Sequence, residues 1–355
     1  MTHPIPIFDG HNDVLLRLMH KGDHAAGVQA FLEGTDKGHL DLPRARRGGF
    51  TGGLFAVFCP PIERGPGNEQ LMKDSRYDVP LPPDLTLTDA QQAAIAMIAG
   101  LFRIERASKG KVRICRSAAD IDRAAEADAL AAVLHIEGAE PIDADLRMLD
   151  ILYQAGLRSI GPVWSRSNIF GHGVPFRFPS TPDTGPGLTD AGKALVRACN
   201  EFKILIDLSH LNEKGFWDVA KLSDAPLVAS HSNAHAVSPH SRNLTDDQLR
   251  AIRDSGGLAG INYATSFLRE DGRMNADTPL EQMVRHADHL IGILGVDGVG
   301  LGSDFDGAVI PAEIGDVAGL PKLVEAFRAA GYGEETIRKI CRDNWVSVLR
   351  RTWGE

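Results

Sequence analysis

The stretches ILIDLSHLN (204–212) and PLVASHSN (226–233) each carry an apolar, β-prone run that ends in a histidine, His210 and His231. Each reads as a strand with a polar residue at its end. Six more runs of this kind lie at 5–9, 53–58, 131–137, 159–164, 258–263 and 298–302, which with 204–209 and 227–230 makes eight. Between them come stretches with apolar residues at helical spacing, such as 89–108, 144–155, 189–202, 245–255 and 280–294. Strands that alternate with helices form a parallel sheet, and eight of them close into a (β/α)8 barrel. The expected fold is therefore an α/β barrel of the TIM type, one domain over residues 1–355. A doubly wound open sheet is the alternative, but no Gly-x-Gly-x-x-Gly turn follows an early strand to favour it.

Two stretches break the periodicity: 60–85, rich in proline and charge, and 171–187, with four prolines and four glycines. Both follow candidate strands, so both belong on the C-terminal rim, where active sites of such barrels form. They are candidate substrate-covering loops, with plain surface excursions as the alternative. The chain has 355 residues, 43% hydrophobic and 24% charged, enough to bury a large core in a soluble globular protein. A net charge of −9 leaves no electrostatic footprint for nucleic acid or an acidic membrane surface. The opening MTHPIPIFDGHND lacks the basic and apolar segments of a secretory signal, and no uninterrupted apolar run reaches the roughly 18 residues of a membrane span. The closing LRRTWGE is not an anchor-attachment tail, so a cytoplasmic location is expected. Cys59, Cys115, Cys199 and Cys341 are far apart and form no Cys-x-x-Cys, which predicts buried thiols and neither a disulfide framework nor a thiolate zinc site.

Chemistry gathers at the strand ends. In FDGHND (8–13), His11 and Asp13 are two residues apart, so their side chains can point to one side. An imidazole and a carboxylate so placed bind a borderline divalent ion such as zinc. Glu137, in VLHIEGAE (133–140), ends an apolar run where a carboxylate is costly to bury unless paired or ligating, and its two oxygens can bridge two ions. His135, two residues earlier, reads as a hydrogen-bonded core histidine. Asp304, in GVGLGSDFDG (298–307), closes the eighth strand between glycines and is the candidate general acid/base, with a tight turn as its alternative; Asp306 reads as the turn residue. Three imidazoles, two or three carboxylates and no thiolate suit two divalent ions about 3.5–4 Å apart, with water between them brought to hydroxide at neutral pH. That is hydrolytic chemistry without a serine nucleophile, and no Gly-x-Ser-x-Gly elbow is present.

GHND (10–13), the long segment IEGAEPIDADLRMLDILYQAGLRSIGPVW (136–164), LIDLSHLN (205–212), SHSNAHAV (230–237), SRNLTDDQL (241–249) and GLGSDFDG (300–307) together resemble the zinc dipeptidase family of the amidohydrolase superfamily, in family order and over almost the whole chain. The resemblance implies a distorted (β/α)8 barrel with two Zn2+ per chain. His11 and Asp13 would hold one ion, His210 and His231 the other, and Glu137 would bridge both. It also implies that Arg242 grips the C-terminal carboxylate of a dipeptide, a role its planar fork suits, and that Asp304 passes the proton from water to the leaving amine. The substrate is then a free dipeptide, L-L or L-D, and a homo-oligomer is suggested. One departure stands out: Trp164 occupies the place where the family commonly has a substrate-contacting histidine. An indole donates one hydrogen bond and accepts none, so Arg166 or His172 on the following loop is a candidate for the missing donor, with an ordinary solvated or structural role as the alternative. Trp164 also keeps open hydrolysis of another small amide, lactone or N-acyl amino acid, and a silent metal-binding protein is the remaining alternative.

Overall fold

Strand after strand in this chain ends on the same rim. The computed structural model describes residues 5–19, 23–62 and 67–354, and among these it forms eleven strands: β1 (Ile7–Asn12), β2 (Phe50–Phe58), β3 (Tyr77–Asp78), β4 (Val112–Ile114), β5 (Leu130–Glu137), β6 (Leu157–Gly161), β7 (Arg177–Phe178), β8 (Leu205–Ile206), β9 (Val228–Ala229), β10 (Leu258–Asn262) and β11 (Val299–Gly302). Eight of them run side by side in the order β8-β6-β5-β2-β1-β11-β10-β9, all parallel. The seam between β8 and β9 is closed by the bridge Asp207↔Val228 and by the Leu208 amide donating to the Val228 carbonyl at 2.9 Å. The result is a distorted (β/α)8 barrel.

All eight expected strands are present, with shifted ends. β1 continues to Asn12, because its backbone goes on pairing with Phe55 of β2 and with Phe305 beyond β11. His11 therefore sits inside the strand. β4 and the pair β3–β7 were not expected. β4 lies along the first half of β5, on residues 130–132, and β6 takes over that edge from Leu134 onward. The five expected helices form at Leu87–Ala107, Arg147–Ala155, Asp190–Phe202, Asp246–Asp254 and Glu281–Leu294. Local chemistry sets their starts: Thr189 accepts from the Gly192 amide, and Thr245 and Gln248 form a reciprocal capping box.

The N-terminal end of the barrel is sealed by Trp345, fully buried among Phe8, Leu54, Val133, Leu205, Val228 and Leu258. Its indole donates to the Leu301 carbonyl at 2.8 Å. Gly10 and Gly300 make room for the ring, since a Cβ on either would lie within 2.3 or 2.5 Å of it. At the other end, the two aperiodic loops meet as an antiparallel ribbon: Tyr77 of β3 pairs with Phe178 of β7, and their rings stack at 6.0 Å. Residues 63–66 of the first loop lie outside the described residues, as do the first four of the N-terminal stretch. No described helix is long and apolar enough to cross a membrane.

Candidate active site

His11 and Asp13 come from the end of β1, Glu137 from the last position of β5, His210 and His231 from just past β8 and β9, and Asp304 from just past β11. The barrel brings all six together. His11 Nε2 is 3.3 Å from Asp13 Oδ2 and 3.7 Å from Glu137 Oε2. The other carboxylate oxygen, Glu137 Oε1, is 2.8 Å from His210 Nε2 and 3.5 Å from His231 Nε2. The two Nε2 atoms of His210 and His231 stand 3.1 Å apart.

The far sides of these rings are engaged. The Ser230 hydroxyl donates to Asp207 Oδ2 at 2.5 Å, so it accepts from His231 Nδ1, 2.7 Å away. His210 Nδ1 lies 3.0 Å from Ser165 Oγ. His231 thus presents an unprotonated Nε2 inward. Both nitrogens of His11 and Oδ1 of Asp13 are buried with no hydrogen-bond partner among the described residues. Burial pushes His210 and His231 well below the ordinary histidine range and Glu137 well above the carboxylate range. Burial also pulls His11 down, but Glu137 and Asp13 outweigh it and lift the ring to about 10. Inward lone pairs, unpartnered donors and clustered carboxylates are what divalent cations neutralise, and the N/O ligand set fits zinc.

Asp304 and Asp306 both adopt left-handed backbone, at φ 59° and 69°. Such strain in non-glycine residues is uncommon and gathers at functional loops. Asn262, the last residue of β10, donates to Asp304 Oδ2 at 3.0 Å. Burial raises the Asp304 carboxyl, helped by Asp13 and opposed by His11 and Arg242. Asp306 is the turn residue expected of it, accepting from the His39 amide at 2.7 Å and pairing with Arg17 at 2.9 Å.

Above the cluster opens a cavity of about 590 Å3, with Asp13, Glu137, His210 and Asp304 on its floor and Trp164 in its wall. The Trp164 ring sits 5.1 Å from Phe58 and edge-on to Phe176 at 5.6 Å. Leu71, Met72 and residues 79–83 of the first rim loop roof it, so that loop does cover the site. Arg242 lies beside the cluster, 2% exposed, its fork donating to the Ser209 and His231 carbonyls and to Ser232 Oγ, with Nη2 3.2 Å from His210 Nε2. Its Nε has no hydrogen-bond partner among the described residues. Burial lowers this guanidinium to about 10, against the pull of Asp304 and Glu137.

The expectation for Arg166 and His172 needs correcting. Arg166 is fully buried, paired with Glu140 at 2.8 Å and donating to the Cys59 carbonyl at 3.0 Å; its charge is spent inside the protein. His172 contacts Ser167 Oγ at 3.1 Å and lines a neighbouring groove. Neither lines the cavity. His135 is the buried, hydrogen-bonded core histidine expected, 2.9 Å from Ser159 Oγ. Sequence reasoning missed Asn262, Ser165, Ser230 and Asp207. Asn262 carried a signal: it is one more polar residue ending an apolar strand.

A parallel barrel with this cluster at its C-terminal rim defines a metal-dependent hydrolase. The chain belongs to the membrane dipeptidase family, peptidase family M19, whose model matches residues 1–353, and it is a metal-dependent dipeptidase. A metallopeptidase from Rhodobacter sphaeroides, solved with a phosphinate mimic of the dipeptide L-Ala-D-Ala, is 54% identical, with a TM-score of 0.96 over 99% of this chain and 100% of that one. An uncharacterized protein in the pqqA 5′ region of Klebsiella pneumoniae is 56% identical over 248 residues, 70% of this chain and 92% of that protein. The probable dipeptidase PvdM of Pseudomonas aeruginosa shares the fold at 24% identity, with a TM-score of 0.81 over 99% of this chain and 96% of that one.

Proposed function

We propose that the chain hydrolyses free dipeptides with two zinc ions seated on the strand-end cluster, and that residues 1–355 act as one hydrolase domain. His11 and Asp13 hold one ion, His210 and His231 the other, and Glu137 both. The division of the Glu137 carboxylate carries this reading: Oε2 faces His11, while Oε1 faces His210 and His231. Bound divalent ions supply a water acidic enough to ionise near neutral pH and a Lewis acid for the scissile carbonyl. The remaining work falls to side chains. Asp304, fixed by Asn262, takes the proton from the attacking water and delivers it to the amide nitrogen as the C–N bond breaks, releasing a carboxylate and an amine.

Arg242 receives the C-terminal carboxylate by exchanging its bonds to the Ser209 and His231 carbonyls for it; its place beside His210 supports the role, and one arginine reading a terminal carboxylate limits substrate length. Trp164, with Phe58 and Phe176, bounds the substrate side chain by apolar contact. The 54%-identical relative solved with an L-Ala-D-Ala mimic supports acceptance of L-D dipeptides, and L-L dipeptides are proposed beside them. Net charge −9 supports small-molecule partners over nucleic acid or an anionic membrane surface. Four buried free cysteines support a reducing cytoplasm, and a homo-oligomer is part of the same proposal.

Metal counting on the zinc-loaded chain, with amine release from L-L and L-D dipeptides, tests the reading. Two ions per chain are expected, with turnover of both series, and Arg242→Ala should raise KM for dipeptides at least tenfold. One ion per chain at full activity, or an unchanged KM in Arg242→Ala, overturns it.

A further inference from the structure

Beneath the cluster lies a buried carboxylate that the proposed chemistry leaves unused. Asp207, 3% exposed, sits just past β8, inside the barrel wall. Its Oδ1 accepts from the Ser230 amide at 2.8 Å, the Ser209 hydroxyl at 2.7 Å and the Ser209 amide at 3.1 Å. Its Oδ2 accepts from the Ser230 hydroxyl, which holds His231 Nδ1. The same Oδ2 is 3.7 Å from His135 Nε2, an atom with no hydrogen-bond partner among the described residues. His135 in turn stands edge-on to His11, ring centroids 5.4 Å apart, and donor atoms of His11, His135 and Asp207 all lie within 4.8 Å of one another.

We infer that Asp207 is a positioning residue shared by the two ligand sets: through Ser230 it orients His231, and through His135 it orients His11. The inference rests on the two-ion reading above and deepens it. A ligating histidine keeps its ring angle, and where a hydrogen bond reaches its other nitrogen its tautomer, through what its other side touches. His231 has that bond through Ser230, whereas His11, with no hydrogen-bond partner on either nitrogen among the described residues, is held in ring angle by packing against His135. Here one carboxylate serves a ring from each set, so the geometries of the two ion sites are set together. Its location at the β8–β9 seam adds a reason for this arrangement. The bridge that closes the barrel runs through the backbone of Asp207, so the residue that closes the seam is also the one that faces the Ser230–His231 pair across it. Asp207 does not touch the substrate cavity, and its effect is confined to the rings it holds.

The experiment follows metal binding in the full chain by chelator competition, with cobalt(II) absorption as a signature of ligand geometry and the metal-free melting temperature as a control. Asp207→Asn should weaken both binding steps about 10- to 100-fold, the usual range for removing such a partner, and alter the cobalt spectrum. Ser230→Ala should weaken one step and His135→Gln the other. If Asp207→Asn folds poorly, the two single-step variants still decide the matter. The proposal is overturned if Ser230→Ala and His135→Gln leave both steps intact, or if Asp207→Asn lowers only the metal-free melting temperature. A third ion lost selectively in His135→Gln also overturns it, since His11, His135 and Asp207 would then be ligands. Should the wild-type chain take up one ion only, the two-ion reading fails by itself. The Asp207 proposal then requires both Ser230→Ala and His135→Gln to weaken that one step, and falls if either does not.

Discussion

The two ends of this barrel are made by the same eight strands and could hardly differ more. At the N-terminal end a tryptophan fills the bore against glycines and aliphatic side chains, and its one polar atom is satisfied by a carbonyl. At the C-terminal end, carboxylates and imidazoles crowd within 4 Å of each other, several of their atoms have no hydrogen-bond partner among the described residues, and two aspartates carry left-handed backbone. One end is optimised for packing, whereas the other stores unfavourable charge that only a cation relieves. The contrast assigns stability to one end and chemistry to the other, and each assignment can be broken separately.

The largest effect belongs to Glu137. Glu137→Gln removes the carboxylate facing all three imidazoles, and kcat/KM should fall by about a thousandfold or more, since each lost several-kcal/mol contribution costs orders of magnitude. Without metal, the same variant should change stability little, because His11 gives up its proton together with the carboxylate that raised it. Steady-state kinetics beside a metal-free melt checks both halves, and a lower melting temperature without loss of rate would reverse the assignment. Asp304→Asn comes next. It keeps the shape and the Asn262 neighbour but cannot take a proton, so kcat should drop about 100- to 10,000-fold with metal content unchanged.

How far the two ends were legible in the sequence follows from the same contrast. Strands buried on both faces are nearly continuous apolar runs, so all eight were visible, and a histidine or carboxylate ending such a run announces itself. The strand-end reading therefore picked the residues that the structure gathers at the rim. What escaped was decided by long-range partners. The β3–β7 ribbon is two residues wide and exists because Tyr77 meets Phe178, a hundred residues on. Asp207 interrupts ILIDLS as a single acid with no spacing pattern, and only the parallel order β8-β6-β5 and the closure of β8 on β9 bring it against His135 and Ser230. Arg166 was a candidate for the substrate because it follows β6, but Glu140, hidden behind Gly138, draws it inward.

At the sealed end, Trp345→Ala should cost about 3–5 kcal/mol, as large-to-small changes in a tight core do. The kcat/KM of the molecules that remain folded should hold within a factor of two or so. Denaturant melts with active-site titration separate the two readouts. A fall in kcat/KM per folded molecule comparable to the stability loss would show that the plug also shapes the rim.

The smallest effect concerns a histidine that belongs to neither end. His286 is fully buried, accepts from the Ala234 amide at 3.2 Å and lies 3.0 Å from the Leu268 carbonyl, which fixes it as the neutral tautomer. Burial brings it down to about 4, with Arg285 and His289 acting in the same direction and the Leu268 carbonyl opposing. The folded value is below the unfolded one near 6.5, so below pH 6.5 the unfolded chain binds a proton that the folded chain refuses. The contribution of His286 is thus fully present above pH 6.5 and is lost as pH falls towards 4, at up to about 1.4 kcal/mol per pH unit. His286→Gln should cost about 1–3 kcal/mol at neutral pH, through the hydrogen bond it gives up, and should flatten the slope between pH 6.5 and 4. Taking the difference between wild type and variant cancels the other buried histidines. Parallel stability curves for the two proteins over that interval would mean that His286 already carries its proton in the folded state.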